Sequence, residues 1–179
     1  NNGHKYGAGC GTQTAGLRMG GDAPASAKTE AYNGTSWTET NDLNTARTGL
    51  KGFGTSTSAV VVGGDPHVAN VETWNGTCWT EVANLNSARE TLTGNGTSTL
   101  ALATGGSLGP GLSALNESWD GTSWTEVADL SVARYNIQGS TFNSSNTAAV
   151  VFGGLTGSTV LANTEEWTIP FVTKTLGTD

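Results

Sequence analysis

Short apolar runs, each followed by a pair of glycines, recur along the chain at intervals of roughly 43 residues. The clearest runs are Ala59 to Val62, Leu100 to Ala103 and Ala148 to Phe152. Apolar residues at successive positions are typical of strands buried on both faces. The pattern therefore predicts central strands packed between neighbouring units. The glycine pairs would let the chain turn sharply, close to the next unit.

A second set of signals follows each glycine pair in the same order. A glutamate comes first and an aromatic residue follows two positions later. Three copies then continue through Asn-Gly or Asp-Gly to a tryptophan, and further on to an Ala-Arg pair. The recurring residues are Glu30, Glu72, Glu117 and Glu165, Trp37, Trp79 and Trp124, and Arg47, Arg89 and Arg134. A repeat of this length indicates a propeller, a solenoid or another array of similar units.

The Asn-Gly and Asp-Gly pairs predict tight β-hairpins, because both residue types tolerate a positive φ. A two-residue loop would place Tyr32 opposite Thr35, and Glu30 opposite Trp37. Alternation along the strands then gives one bulky face and one small face. The bulky face holds Glu30, Tyr32, Trp37 and Glu39, and the small face holds Ala31, Ser36 and Thr38. Cys78 takes the Ser36 position in its own repeat, which predicts a packed, unpaired thiol, as for Cys10.

These signals predict an all-β chain of four blades, each a four-stranded antiparallel sheet, in a β-propeller. The expected blades are residues 1–45, 46–87, 88–132 and 133–179, and the first and last are irregular. Boundaries near residues 46, 88 and 133 follow from the Ala-Arg pairs. A helical repeat would need apolar residues three and four positions apart, and that spacing is absent.

The order Gly-Gly, Glu-x-aromatic, Trp and Arg resembles the kelch repeat. The amino-acid sequence Tyr32-Asn33-Gly34-Thr35-Ser36-Trp37-Thr38-Glu39 is similar to that of kelch-like repeats in structural proteins of tailed bacteriophages, especially those that infect marine cyanobacteria. The resemblance covers nearly the whole chain. It implies a propeller of four-stranded blades and a place in a virion.

Two departures from the repeat bear on whether the ring of blades is complete. Arg18 interrupts the first apolar run, and the fourth copy runs through Trp167 to Pro170 without the Asn-Gly hairpin. Kelch-like propellers usually have more than four blades, and an incomplete ring leaves blades without neighbours. The chain is therefore expected to be the C-terminal part of a longer polypeptide, or to complete its ring with a second copy as a homo-oligomer.

Composition excludes several classes of function. The formal charge is −7, and the eight lysines and arginines are scattered, which disfavours nucleic-acid binding. The longest apolar runs are far too short to cross a membrane. His4 and His67 are the two histidines, and neither has a metal-ligand spacing. We therefore expect neither an enzyme, nor a bound metal, nor a cofactor.

The glutamates and arginines that recur once per repeat are expected to be structural. A residue present in every copy serves the blade rather than a single active site. Each arginine would pair with a glutamate or stack on a tryptophan. Trp79 and Trp124 are expected to be core residues between blades.

Recognition is expected in the connections between the second and third strands, which differ in length and chemistry from copy to copy. Asp65, Pro66 and His67 form the most distinctive polar connection. Leu108, Leu112 and Leu115 make the longest one unusually apolar, which suggests burial against a partner. Unconstrained variation of these loops remains an alternative.

The resemblance implies a structural or appendage protein on the outside of a virion. Its partners would be other virion proteins or molecules of the host cell surface. Two alternatives stay open: an intracellular kelch-type adaptor that binds a partner protein, and a sugar-binding lectin.

Overall fold

The computed structural model describes residues 5–22, 24–139 and 146–168, and within these ranges the chain forms strands, turns and connections without a helix. Three blades are four-stranded antiparallel sheets with strands in chain order. The first blade comprises β1 (Ala8–Thr12), β2 (Ala15–Met19), β3 (Thr29–Tyr32) and β4 (Trp37–Glu39). The second comprises β5 (Lys51–Gly54), β6 (Ala59–Val62), β7 (Val71–Trp74) and β8 (Trp79–Val82). The third comprises β9 (Thr93–Gly96), β10 (Ala101–Thr104), β11 (Asn116–Trp119) and β12 (Trp124–Val127).

The fourth blade differs from the others in its described part. Its sheet contains β13 (Gln138–Gly139), β14 (Ala148–Phe152) and β17 (Thr164–Thr168). A separate hairpin, β15 (Leu155–Thr156) with β16 (Thr159–Val160), occupies the connection from β14 to β17. A fourth strand of this blade, if present, lies outside the described residues. The all-β, four-bladed propeller expected from the sequence is confirmed.

The innermost strands of the four blades begin in the same way. The residue two positions before the strand has a left-handed backbone in each case, with φ of 58° at Tyr6, 63° at Gly49, 50° at Thr91 and 51° at Asn136. The amide of each of the last three donates to the carbonyl oxygen of its counterpart in the preceding blade: Gly49 to Tyr6 (N···O 2.9 Å), Thr91 to Gly49 (2.9 Å) and Asn136 to Thr91 (3.0 Å). This chain of backbone hydrogen bonds sets the blades side by side around a common axis.

Two hydrophobic cores fill the spaces between the first and second blades and between the second and third. Leu17 and Met19 of the first blade pack against Val61 and Trp79 of the second. Val60 and Val62, on the other face of β6, pack against Trp119 and Trp124 of the third blade. All four residues of β6 are therefore buried, as the continuous apolar run predicts. The second and third blades therefore each set their bulky face on the small face of the blade before.

Glycines in the innermost strands make this stacking possible. A Cβ at Gly52 would lie 2.9 Å from Cε of Met19, and a Cβ at Gly94 would lie 2.8 Å from Cζ of Phe53. A larger residue at either position would force these side chains of the neighbouring blade to shift. The paired glycines act similarly, since a Cβ at Gly63 would lie 2.4 Å from the Arg89 carbonyl oxygen. The first three pairs approach the connection to the next blade in this way, whereas Gly153 has no such close neighbour among the described residues.

The predicted register of the hairpins is wrong, although the assignment of strand residues to faces is right. Tyr32 lies opposite Trp37, and Glu30 lies opposite Glu39, so the loop has four residues, 33–36. The cause is the Asn33 side chain, whose Oδ1 accepts hydrogen bonds from the amides of Thr35 and Ser36, both at 2.9 Å. Such a side-chain turn needs a positive φ at Gly34 alone (92°).

Cys78 illustrates the consequence of the register. It occupies the loop rather than the small face of a strand, and its side chain is exposed instead of packed. Its amide donates to Asn75 Oδ1 at 2.9 Å, as the equivalent serine does in the other hairpins. Both cysteines are free thiols.

The boundaries expected near residues 46, 88 and 133 lie within the connections between sheets, which cover residues 40–50, 83–92 and 128–137. No strand pairing or backbone hydrogen bond joins the described residues of the first blade to those of the fourth. His4 and residues 169–179 of the expected last blade lie outside the described residues. In the described part of the chain, no helix is long and apolar enough to span a membrane.

Candidate functional site

Each repeated arginine is buried in a shell of acceptors supplied by the blade that follows it. Arg47, which is fully buried, donates to the carbonyl oxygens of Gly63 (2.9 Å) and Asn70 (2.6 Å) and to Glu72 Oε1 (2.9 Å). Burial lowers the pKa of the Arg47 guanidinium, and the Glu72 carboxylate opposes that shift. The pair ties the connection between two blades to the strand ends of the second.

The other carboxylate oxygen of Glu72 is used as well. Oε2 accepts from the Asn44 amide (2.7 Å) and from Asn44 Nδ2 (2.9 Å). Glu117 repeats this arrangement with Arg89 (2.6 Å) and Asn86 (2.7 Å and 2.9 Å). In the fourth blade, Arg134 pairs with Glu165. These ion pairs tie each inter-blade connection to the blade that follows it.

The first blade pairs its glutamate in another way. Arg18 on β2 lies opposite Glu30 on β3, with an Nη1–Oε2 distance of 3.7 Å, and also contacts Asp22 at 3.4 Å. The interruption of the apolar run by Arg18 is thus explained by a local cross-strand partner for Glu30.

One end of the propeller carries the features that do not repeat. The connections β2–β3, β6–β7 and β10–β11 lie there, and so do the starts of the innermost strands; we call it the loop end. Asp65 and His67, in the β6–β7 connection, meet Glu90 from the connection to the third blade. His67 Nε2 lies 3.3 Å from Glu90 Oε1, and one ligand atom from each of the three residues lies within 4.8 Å of the others.

The Asp65, His67 and Glu90 cluster has the composition of a small cation site. An imidazole nitrogen with two carboxylates suits a divalent transition metal. The equivalent residues of the next blade are Ser107, Gly109 and Tyr135, which have no such set of groups. Sequence reasoning singled out Asp65 and His67 but missed Glu90, because Glu90 follows the repeated Arg89 and looks like part of the scaffold.

The apolar connection lies beside this cluster. A Cβ on Gly109 would come within 3.4 Å of the His67 ring, so the β6–β7 and β10–β11 connections touch. Leu108, Leu112 and Leu115 are half-buried rather than fully exposed. The backbone of Leu115 belongs to the scaffold, since its carbonyl oxygen accepts from Arg89 at 2.6 Å. The two loops that the sequence singled out therefore form one continuous surface.

The loop end also opens into a central cavity of about 330 Å³, lined by all four blades. Its wall includes Lys51, Tyr6, Thr91, Asn136 and Gln138. Burial lowers the pKa of Lys51, and no charged group within the described residues offsets that shift. Sequence reasoning did not mark Lys51; the signal was a single cation at the start of a glycine-rich strand.

Neither the models of known protein families nor the curated proteins compared with this chain give a match. The repeat geometry and the loop end therefore carry the functional argument.

Proposed function

We propose that this chain is a non-catalytic structural or appendage protein of a bacteriophage virion. In this role, the propeller serves as a rigid platform whose loop end contacts the host surface or another virion protein. Resemblance of the repeat to kelch-like phage proteins supports the virion as its location. The observation that supports the platform role is that recurring and non-recurring polar residues lie in different places. The recurring arginine–glutamate pairs are used in contacts between each connection and the blade that follows, whereas Asp65, His67 and Glu90, which do not recur, meet at the loop end.

A rigid frame with variable connections is how many binding proteins separate stability from specificity. Asp65, His67 and Glu90 give the loop end polar and charged groups, and the half-buried leucines beside them give it apolar area. Mixed surfaces of this kind, apolar inside and polar at the rim, are common in protein interfaces.

Binding of the labelled chain to cyanobacterial cells and to isolated proteins of tailed phages tests the proposal. The expected result is saturable binding that is lost when Leu108, Leu112 and Leu115 are all replaced by serine, with little change in melting temperature. Leu100→Ser is the matched control, because Leu100 is exposed at the opposite end of the propeller. Binding that survives the triple substitution would remove the loop end from the mechanism. Capture of soluble intracellular proteins alone would favour the adaptor function instead.

The central cavity favours a lectin function as a second candidate. Lys51 has no charged partner among the described residues and lies beside amide and hydroxyl groups. This set suits an acidic sugar, which offers a carboxylate and several hydroxyls. A glycan array would show selective binding of uronic or sialic acids, and Lys51→Met would abolish it. A glycan array without any signal would exclude the lectin function and would not affect the platform proposal.

A further inference from the structure

The first blade has a bulky face without a neighbour among the described residues. Trp37 occupies the position that Trp79 and Trp124 occupy in the next two blades, as the strand pairings show. Trp79 and Trp124 are each 6% exposed, because they pack on the preceding blade, whereas Trp37 is 41% exposed. Trp37 stacks on Tyr32 with a centroid distance of 5.1 Å, so it already has the geometry of its buried counterparts.

The fourth blade has the complementary open face. Phe152 pairs with Thr164, as Val62 pairs with Val71 in the second blade. Val62 is fully buried against the next blade, whereas Phe152 is 47% exposed. Along β17, the positions on this face, Thr164, Glu166 and Thr168, are exposed, while the intervening residues are half-buried. Phe152 is the large apolar side chain on this otherwise small face, and no blade of the described residues covers it.

The two open faces match in a specific hydrogen bond as well as in shape. Where the second blade packs on the first, the Trp79 indole donates to Thr29 Oγ1 at 2.9 Å. The third blade meets Val71 at that position, and its Trp124 indole nitrogen has no acceptor among the described residues. The fourth blade presents Thr164 at the Thr29 position. A first blade set on the fourth would therefore give Trp37 the hydroxyl acceptor that Trp79 has.

We propose that two copies of this chain associate head to tail, with the bulky face of the first blade of one copy on the small face of the fourth blade of the other. The contact repeats the packing between consecutive blades, with Trp37 and Phe152 at its centre and Thr164 as the acceptor. Two such contacts close a ring of eight blades, which is within the range of about four to eight found in propellers. This inference stands apart from the proposed function.

Light scattering and sedimentation of the full chain test the association. The wild type is expected to have twice the 18.2 kDa mass of the chain. Trp37→Glu and Phe152→Glu should each give a folded monomer, because both residues are exposed in the single chain. Val160→Glu is the control: Val160 is 77% exposed but lies on the β15–β16 hairpin, away from the open sheet faces, so this variant should remain dimeric.

Mixing the two monomeric variants distinguishes a head-to-tail contact from other dimers. Each variant spoils one face, so each fails to pair with itself on either side. In a mixture, the Trp37→Glu copy offers an intact fourth blade to the Phe152→Glu copy, which has an intact first blade. A mixed dimer held by a single contact should appear. Failure of the mixture to associate would overturn the head-to-tail arrangement.

Thr164→Val gives a milder test that removes only the hydroxyl acceptor. The dimer dissociation constant should rise about a hundredfold, because one hydrogen bond that is equivalent to about a factor of ten is lost at each of the two contacts. A wild-type chain that stays monomeric up to its highest soluble concentration would overturn the proposal outright. So would a dimer unaffected by Trp37→Glu.

Discussion

Trp37, Trp79 and Trp124 occupy one position of the repeat but differ in their neighbours. Trp79 lies in the core between two blades, while Trp37 faces outward on the first blade. Replacement of Trp79 by alanine should cost about 3 to 5 kcal/mol of unfolding free energy, because it empties a packed site. Trp37→Ala should cost about 1 kcal/mol, which is the loss of its stacking on Tyr32.

Urea unfolding at a protein concentration low enough to keep the chain monomeric would measure both costs. Equal losses for the two substitutions would mean that something covers Trp37 in the folded monomer.

The buried Arg47–Glu72 ion pair should also contribute strongly to the stability of the blade packing. Glu72→Gln keeps the shape of the side chain but leaves a buried guanidinium without its counter-charge, which should cost about 3 to 5 kcal/mol. Glu81→Gln on the same blade is the control, since Glu81 is exposed, and it should change stability by about 0.5 kcal/mol or less. Chemical denaturation of the two variants compares them directly; a small effect of Glu72→Gln would show that the pair is dispensable.

The two cysteines should differ in reactivity. Burial raises the pKa of the Cys10 thiol to about 12, so it is protonated at neutral pH and a poor nucleophile. Cys78 is exposed in its hairpin loop. A thiol reagent at pH 8 should therefore label Cys78 quickly and Cys10, which is partly exposed, much more slowly. The Cys78→Ser variant identifies the fast site; fast labelling of that variant would contradict the assignment.

At the level of elements, the sequence predicts strands better than their pairing. The apolar run before each glycine pair identifies β6, β10 and β14, because burial on both faces leaves no polar position. The hairpin register is not predictable from Asn-Gly alone: Asn33 bonds to two backbone amides and lengthens the loop. The innermost strand β5 is hidden, because Gly52 and Gly54 give it no hydrophobic signature. Its glycines become meaningful only when the neighbouring blade is in place.

The candidate functional site, too, could be predicted only in part from the sequence. Asp65 and His67 stand out because they break the repeat, whereas Glu90 and Lys51 are recognised only by where the fold brings them. Proximity across two connections, or across a central cavity, has no local sequence pattern.

The hairpin that contains Asp120 should make the free energy of unfolding depend on pH. The amides of Ser123 and Thr122 donate to Asp120 and hold the pKa of its carboxyl below the usual 3.8. Because the folded pKa is depressed, the stabilisation is complete above pH 3.8 and is lost as the pH falls through the folded value. Asp120→Asn should flatten the acid limb of the stability profile. Asn75→Asp, at the equivalent hairpin, should steepen it, and an unchanged profile in both would remove the effect.

At the scale of the whole molecule, local stability should follow the number of neighbours each blade has. Every residue of β6 and β10 is buried between two blades. In β17, by contrast, residues on one face are exposed, and Phe152 of β14 is 47% exposed. Stacked units of this kind are stabilised by nearest-neighbour contacts, so blades with one open face should unfold first.

Native-state hydrogen exchange on the monomeric Trp37→Glu variant measures this gradient. Amides of β6 and β10 should exchange slowest, through global unfolding, while those of β14 and β17 exchange faster through local opening of the fourth blade. The proposed dimer would cover the fourth blade, so protection of β14 and β17 in the wild type should rise towards that of β10. Equal protection of all blades in the monomer would instead mean that the four blades unfold as a single unit, and that the open faces are not its weak points.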